Sequence, residues 1–407
     1  MKLLVVGGGS GGHITPALAV VREVLEIKPR TRVEFWTDRK YYKNVVKNTT
    51  EIGVKWGSEN SVKKEYVRVR KVAAGKFHRY AGWKIKDYFE HFDVTLKDLI
   101  IGNIIGLIGF LAGIIQSFCR LVMKKNRPDV IFLKGGFVGL PVGIVAKILR
   151  IPYVIHESDM VPGLANRILM KKAKVVAMGM PFEEGQGREN WRWVGIPVSE
   201  EFKAVSSARE KSLKKMLGFD EEKPLVVITG GSQGSVNLNE ATRAILPDLL
   251  KFASVALVAG RKNYEMMIDL KKYEEWDKAK LKSDFRMWEF NSAMFDLLGA
   301  ADVIVSRAGA TTIAEMAGLK KAVILVPYAR LPGGHQIKNA EKLEAEGAVK
   351  VVNDEEMQKK PEVLFEAIKY LIKSPKEREE LAAKLHGEAK TDAARSLAKI
   401  LFEVNNA

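Results

Sequence analysis

Two glycine-rich turns, set about half a chain length apart, constrain the fold more than any other feature. Gly8-Gly9-Ser10-Gly11-Gly12-His13 follows the apolar run Leu3-Leu4-Val5-Val6. Gly230-Gly231-Ser232-Gln233-Gly234-Ser235 follows Leu225-Val226-Val227-Ile228-Thr229. Each reads as a buried strand, a tight turn and the start of a helix. Glycine lets the backbone come close to a ligand, and a helix N-terminus presents free N–H groups at the positive end of its dipole. Two such turns, each opening its own alternation of strands and helices, predict an α/β chain of two Rossmann-like domains facing a cleft.

The alternation runs along most of the chain. Strands are predicted near 3–6, 32–36, 129–133, 152–155 and 174–178, and a second series near 224–229, 254–258, 285–288, 302–305 and 322–326. Intervening helical patterns make these parallel βαβ units. Trp193-Val194-Gly195-Ile196-Pro197-Val198 reads as a hinge, residues 206–223 as a charged helix, and about 361–404 as helical. The expected domains are 1–198 and 199–387, with 388–407 a terminal helix that packs back on the first.

Residues 60–98 break the pattern with basic and aromatic side chains, among them Lys63, Lys64, Arg68, Arg70, Lys76, Arg79, Tyr80, Trp83, Lys84 and Lys86. An apolar run from Leu99 to Ile115 follows, interrupted by Gly102, Gly106, Gly109 and Gly113. It is shorter than the roughly 20 residues a bilayer crossing needs. A single crossing would also put strands 3–6 and 129–133 on opposite sides of a membrane, though both belong to one sheet. The expectation is a helix whose exposed face dips into a membrane interface, with Lys84, Lys86, Lys124, Lys125 and Arg127 meeting anionic headgroups. The alternative is an ordinary buried helix.

Composition narrows the partners. A net charge of +17 over 407 residues favours anionic ones: phosphorylated metabolites, an acidic membrane surface or nucleic acid. Neither an RNA-binding signature nor zinc-finger spacing occurs, so nucleic acid is not expected. One cysteine, Cys119, excludes an internal disulfide framework and is expected to be a small buried apolar residue. The chain opens directly on a strand, so no signal peptide is expected.

The remaining motifs sit at strand ends, where open α/β sheets bind ligands. Gly7, Gly9 and Gly12 also satisfy G-x-G-x-x-G, and Asp38 follows the second strand, which leaves a dinucleotide-dependent dehydrogenase as one reading. His13, in the first turn of a helix, either packs there or takes a proton from a hydroxyl as a neutral imidazole. Lys134-Gly135-Gly136-Phe137 is a further glycine turn. His156-Glu157-Ser158-Asp159 puts four polar residues at a strand end, suited to sugar or phosphate hydrogen bonding or, less well, to a metal. Asn166 follows in Pro162-Gly163-Leu164-Ala165-Asn166. The sharpest motif is Ser306-Arg307-Ala308-Gly309-Ala310-Thr311-Thr312-Ile313-Ala314-Glu315. Its glycine, amides and hydroxyls suit a pyrophosphate, and Glu315 either binds both hydroxyls of a ribose or complements the helix dipole. Gln336 opens the next helix, where it can bond a sugar hydroxyl.

Together these motifs resemble the MurG family of glycosyltransferases, of glycosyltransferase family 28. The resemblance covers essentially the whole chain: GGSGGH with a following Pro-Ala-Leu-Ala, GK-x-x-RY from Gly75 to Tyr80, PDVIF-x-KGGFV, HESD-x-x-PGLAN, GGSQG, R-x-GA-x-T-x-x-E and HQ-x-x-NA. It implies the GT-B fold and an inverting transfer of N-acetylglucosamine from UDP-GlcNAc to the C4 hydroxyl of undecaprenyl-pyrophosphoryl-MurNAc-peptide, lipid I, in bacterial peptidoglycan synthesis. It implies peripheral attachment to the cytoplasmic face of the membrane, whose anionic surface is the third partner. It also implies the first domain for the acceptor and the second for the donor. By the same resemblance Ser10, Gly11, Gly12, Asp159, Ser232, Gln233, Asn291, Ala310, Thr311, Thr312, Ile313, Ala314, Glu315 and Gln336 contact UDP-GlcNAc. Gly135, Gly136, His156, Glu157 and Asn166 lie on the acceptor side, and His13 is the candidate base. No cofactor or metal is expected, since amides and helix N-termini can stabilise the charge that develops on UDP. The run Gly195-Ile196-Pro197-Val198-Ser199 departs from the family's Gly-Asn-Pro-x-Arg and puts an arginine contact in doubt. The alternatives are a related GT-B enzyme with another lipid acceptor, a UDP-GlcNAc epimerase, and a non-catalytic nucleotide-sugar-binding membrane anchor.

Overall fold

A computed structural model describes residues 1–56, 67–77, 100–180, 188–231, 234–261, 263–268, 283–328 and 334–407. The chain divides into two compact units, Met1–Ser199 with Arg330–Gly333 and Lys390–Ala407, and Glu200–Ala329 with Gly334–Ala389.

The first unit is a seven-stranded sheet. Its strands are β1 (Lys2–Val6), β2 (Arg32–Thr37), β3 (Val67–Lys71), β4 (Val130–Leu133), β5 (Tyr153–Glu157), β6 (Val175–Met178) and β7 (Trp191–Trp193). The order is β3-β2-β1-β4-β5-β6-β7, and every pairing is parallel. Helices α1 (Gly11–Ile27), α2 (Tyr42–Trp56), α3 (Gly102–Leu121), α4 (Gly139–Ile148) and α5 (Leu164–Met170) connect the strands. Such a sheet is covered on both faces, and β4, β5 and β6 are accordingly buried along their whole lengths. One core layer joins alternate strand residues such as Val5, Phe35 and Phe132 to α1 and to the chain's last helix through Leu397 and Leu401. The opposite layer joins Leu4, Trp36, Ile131 and Ile155 to Val142 and Val145 of α4.

The second unit repeats the plan with six parallel strands in the order β10-β9-β8-β11-β12-β13. These are β8 (Leu225–Thr229), β9 (Ser254–Val258), β10 (Phe285–Trp288), β11 (Val303–Ser306), β12 (Ala322–Leu325) and β13 (Lys350–Val351). Its helices are α6 (Ser207–Met216), α7 (Val236–Leu249), α8 (Tyr264–Ile268), α9 (Met294–Gly299), α10 (Ala310–Leu319), α11 (His335–Ala345), α12 (Asp354–Lys359), α13 (Glu362–Lys373) and α14 (Pro375–Gly387). The last helix, α15 (Ala393–Asn406), belongs to the first unit.

Several expectations are corrected. The charged helix predicted over 206–223 ends at Met216, because Gly218 takes a left-handed φ of +80° and turns the chain toward β8. The helical tail is three helices, broken at Ser374-Pro375 and at 388–392. The hinge begins inside a strand, β7. Strand β3 emerges from the segment that broke the pattern, while Lys63, Lys64, Arg79, Tyr80, Trp83, Lys84 and Lys86 lie outside the described residues. Cys119 is exposed, on the outward side of α3.

Helix α3 is not an ordinary core helix. Ile104, Ile105, Ile108 and Ile115 are 54–64% exposed, and Leu107, Leu111, Phe118 and Val122 are also exposed. The face that packs inward is built from Gly106, Gly113, Ser117 and Leu121. A Cβ on Gly113 would lie 2.2 Å from the Ala73 carbonyl oxygen, and one on Gly109 would lie 2.9 Å from that of Ala74. The glycine spacing thus serves close backbone approach to segment 73–76, which Gln116 completes by accepting from the Ala73 amide at 2.7 Å. The helix is long and apolar enough to cross a membrane. It lies in sequence between β3 and β4, two strands of one sheet, and its glycine face packs against segment 73–76.

Gly75→Ala should therefore destabilise the first unit, because the new Cβ would sit 1.6 Å from the Gly106 carbonyl oxygen. Overpacking of this kind costs about 1–3 kcal/mol or more, and each kcal/mol lowers Tm by roughly 2–4 °C in a domain of this size. Gly139→Ala, with nothing within 4 Å of its Cβ, should leave Tm unchanged in the same calorimetric scan.

Candidate functional site

In each sheet the strand order reverses direction once, between β1 and β4 in the first and between β8 and β11 in the second. Crossover helices leave to opposite faces there and open a crevice at the carboxyl ends of those strands. The sequence motifs fall on these two places.

In the first unit, Ser10 is the N-cap of α1 with extended backbone, but its hydroxyl does not cap the helix. It pairs with His13 Nδ1 at 2.8 Å. Gly11 and Gly12 form the first turn of α1 and stay partly exposed. With Nδ1 engaged, Nε2 is the ring nitrogen left for a substrate, and it accepts a proton when Nδ1 carries the hydrogen and donates it to Ser10. Desolvation, and then the Lys134 charge, push the His13 pKa down to about 3. The ring is therefore neutral at neutral pH. Gly136 (φ +75°) lets the loop after β4 lie against this ring, since a Cβ there would sit 3.2 Å from His13 Cε1. Gly135 (φ +96°) lies just as tightly against Asn166.

The buried polar residues of β5 are scaffold. Glu157 accepts from the amides of Asp159 (3.1 Å) and Gly163 (3.0 Å) and from Asn166 Nδ2 (2.8 Å). Desolvation, then Asp159, raises its pKa against those bonds. His156 is fully buried, pairs through Nε2 with the Gly195 carbonyl at 2.8 Å, and is held neutral by burial and by Lys134. His156, Glu157 and Asn166 thus hold the loops that follow β4, β5 and β7. His156 Nε2 and both carboxylate oxygens of Glu157 are committed to these partners. Asp38, the residue that suggested a dinucleotide, accepts from the Gly9 amide at 3.2 Å and braces the first glycine turn. At the hinge, Ser199 accepts from Arg22 Nη1 at 3.1 Å, so an arginine from α1 reaches the position where the family arginine was missed.

In the second unit, Gly309 is the N-cap of α10 and has no side chain to satisfy the first amides. Ala310 and Ile313 are buried, so they offer backbone, while Thr311, Thr312, Ala314 and Glu315 keep partial exposure. Desolvation alone pushes the Glu315 pKa up to about 8. Gln336, in the first turn of α11, accepts from the Tyr328 amide at 2.9 Å through Oε1, so its NH2 group is the end that can donate. Asn291 accepts from the Ala293 amide at 2.8 Å and shapes the start of α9. Ser232 and Gln233 lie outside the described residues.

Arg307 of the same motif carried no assigned role in the sequence. It is buried and reaches Ser235 Oγ at 2.6 Å, the Val326 carbonyl at 2.9 Å and Asp354 Oδ1 at 2.7 Å. Ser235 is the N-cap of α7, directly after the second glycine turn, so this guanidinium pins that turn to β11, β12 and α12. Asp354 was not singled out either, because its partner is 47 residues away in sequence.

Comparison with known proteins follows the same division. Residues 3–178 match the glycosyltransferase family 28 N-terminal domain and residues 225–397 its C-terminal domain. A Bacillus thuringiensis protein is 33% identical over 363 residues, 88% of each chain, and is named UDP-N-acetylglucosamine--N-acetylmuramyl-(pentapeptide) pyrophosphoryl-undecaprenol N-acetylglucosamine transferase 3. A Clostridium perfringens protein with the same transferase name is 33% identical over 377 residues, 92% of this chain and 90% of its own. Among solved structures, MurG of Acinetobacter baumannii aligns over 99% of both chains with a TM-score of 0.68 at 22% identity. The UDP-GlcNAc 2-epimerase of Neisseria meningitidis aligns over 99% of this chain and 100% of its own at 0.61 and 12%. At these identities the two structures share a fold with this chain.

Proposed function

Because the chain belongs to glycosyltransferase family 28, we propose that it transfers N-acetylglucosamine from UDP-GlcNAc to the C4 hydroxyl of undecaprenyl-pyrophosphoryl-MurNAc-peptide. The observation that carries this reading is the 33% identity, over 88% of each chain, to a relative whose name specifies that transfer. The first unit takes the acceptor and the second the donor. In the second unit the N-terminal amides of α10 meet the diphosphate, Glu315 meets the ribose hydroxyls and Gln336 donates to the sugar. His13 takes the C4 hydroxyl proton as that oxygen bonds to the anomeric carbon. The bond from that carbon to UDP breaks, and its electron pair leaves on the diphosphate, with inversion to a β-linkage. Helix-end amides stabilise the departing charge.

UDP release with a lipid I analogue tests the transfer, and an epimerase would turn over without the acceptor. His13→Ala should lower turnover by roughly 10²–10⁴ while donor affinity holds, as loss of a general base does. A folded variant with wild-type turnover removes His13 from that role.

Donor binding should release a proton. The free Glu315 carboxyl holds its proton up to about pH 8, whereas ribose hydroxyls bond best to the carboxylate. UDP affinity should therefore rise with pH, by at most about tenfold per unit, and level off above about pH 8. Glu315→Gln should bind more weakly and lose that slope. Calorimetry in buffers of different ionisation enthalpy measures the proton; a pH-independent wild type would sink the assignment.

The chain attaches peripherally to the cytoplasmic membrane face through α3, whose isoleucine face enters the interface beside Lys124 and Lys125. Arg127 contributes less to headgroup contact than its charge suggests, since Nη2 donates to the Leu149 carbonyl. Phe110 turns toward Phe77, with ring centroids 6.2 Å apart, so the informative substitution is serine at Ile104, Ile105, Ile108 and Ile115. That variant should fail to sediment with anionic vesicles at physiological salt. Undiminished sedimentation of the folded variant would show that α3 is not the anchor.

A further inference from the structure

Lys134 is the residue of the first unit whose placement the reaction above leaves unexplained. It directly follows β4, and its amide donates to the Val6 carbonyl at 3.0 Å, which locks it at the reversal of strand order. It is 2% exposed. Among the described residues its ammonium donates one hydrogen bond, to Ser158 Oγ at 2.6 Å, of the three it can make. Burying an ammonium against a neutral hydroxyl is costly, and an uncharged side chain would tether Ser158 as well. The charge itself therefore calls for a use.

Two imidazoles face that charge. His13 lies against Gly136, two residues beyond Lys134, and His156 stands at the end of the neighbouring strand β5. The Lys134 charge disfavours protonation of both. Among the described residues Ser10 holds the His13 Nδ1, and the carboxylate of Asp38 is held by the Gly9 amide in the same glycine turn. Glu157 and Asp159 lie by Lys134 and favour its charged form against desolvation, which leaves its pKa at about 8. The positive charge is thus present through the neutral range.

A base beside a diphosphate faces a specific difficulty. The bound anion favours imidazolium, and a ring already protonated cannot accept the hydroxyl proton. A fixed positive charge behind the ring offsets that pull. We propose that Lys134 is a positioning residue for the acceptor-side chemistry, its buried ammonium keeping His13 neutral while the anionic acceptor is bound. This rests on the reading of His13 as the base.

The test is Lys134→Met beside Ser158→Ala, which loses the tether and keeps the charge. Ring-labelled histidine NMR follows the His13 titration, with its signal assigned by loss in His13→Asn. Removing a positive charge raises an imidazole midpoint, so Lys134→Met should raise that of His13 by about one pH unit or more. Ser158→Ala should leave it near wild type. The acid limb of kcat/KM, lost as pH falls through the His13 midpoint, should move up by the same amount in Lys134→Met. If Met does not fold, Lys134→Gln, which retains a donor for Ser158, carries the same measurement. A His13 midpoint unchanged in the folded uncharged variant, or raised equally by Ser158→Ala, overturns the proposal. A raised midpoint without a moved kinetic limb upholds the charge effect and instead removes His13 as the base.

Discussion

The constraint on which the molecule depends is that both sheets are entirely parallel and that their central strands are buried on both faces. A strand such as Val130–Leu133, with every residue buried, has no face on which to carry a polar group. Polar chemistry is pushed to the strand ends, and the reversal of strand order chooses which ends open. The consequence is visible in the backbone. Gly9, Gly135 and Gly136 in the first unit, and Gly231 and Gly234 in the second, take left-handed φ at those ends. Side chains there would collide or strain the chain; a Cβ on Gly234 would lie 2.3 Å from the Ala259 carbonyl oxygen.

Each unit also buries a cation at its reversal point, and the two are treated differently. Arg307 meets a carboxylate, a hydroxyl and a carbonyl, so its planar fork is satisfied and its charge is neutralised by Asp354. That is the arrangement expected of a clamp. Among the described residues Lys134 meets one hydroxyl, and its charge disfavours protonation of the ring beside it. An ammonium bonded to one hydroxyl among the described residues suits a residue that acts through its charge; a guanidinium bonded to a carboxylate, a hydroxyl and a carbonyl suits one that holds a turn in place.

Most of the parallel strands, and the two glycine turns, were legible because a fully buried parallel strand is a continuous apolar run bounded by glycine. Strand β3 was not, because Val67-Arg68-Val69-Arg70-Lys71 is an edge strand with one solvated side, and its charges read as a basic loop. The site motifs were legible as motifs, but the sequence could not separate residues that touch a ligand from those that hold the loops. Glu157, at the end of β5, and Asn166, in the helix that follows, both read as polar residues open to a ligand; their mutual 2.8 Å bond and burial assign them to the scaffold. Arg307 and Asp354 were missed for a related reason, since their pairing is long-range and neither residue breaks the local pattern.

Helix α3 shows why apolar content alone misleads. The same run of isoleucine, leucine and glycine fits a core helix and an interfacial one, and the sign that separates them is which residue type packs inward. In a core helix the large side chains would fill the interior and the glycines would leave voids. Here Gly106, Gly109 and Gly113 bring the helix backbone against segment 73–76, close enough that methyl groups there would collide. The inward face therefore has no room for the isoleucines, and they are turned out together as one stripe. The cost of exposing that stripe to water follows from the glycine packing rather than from a failure of the fold to cover it. An outward face of Ile104, Ile105, Ile108 and Ile115 flanked by lysines is stable where an apolar phase and anionic groups meet. Cys119 sits exposed on this helix by the same geometry, which is why a residue type usually found inside is found outside here.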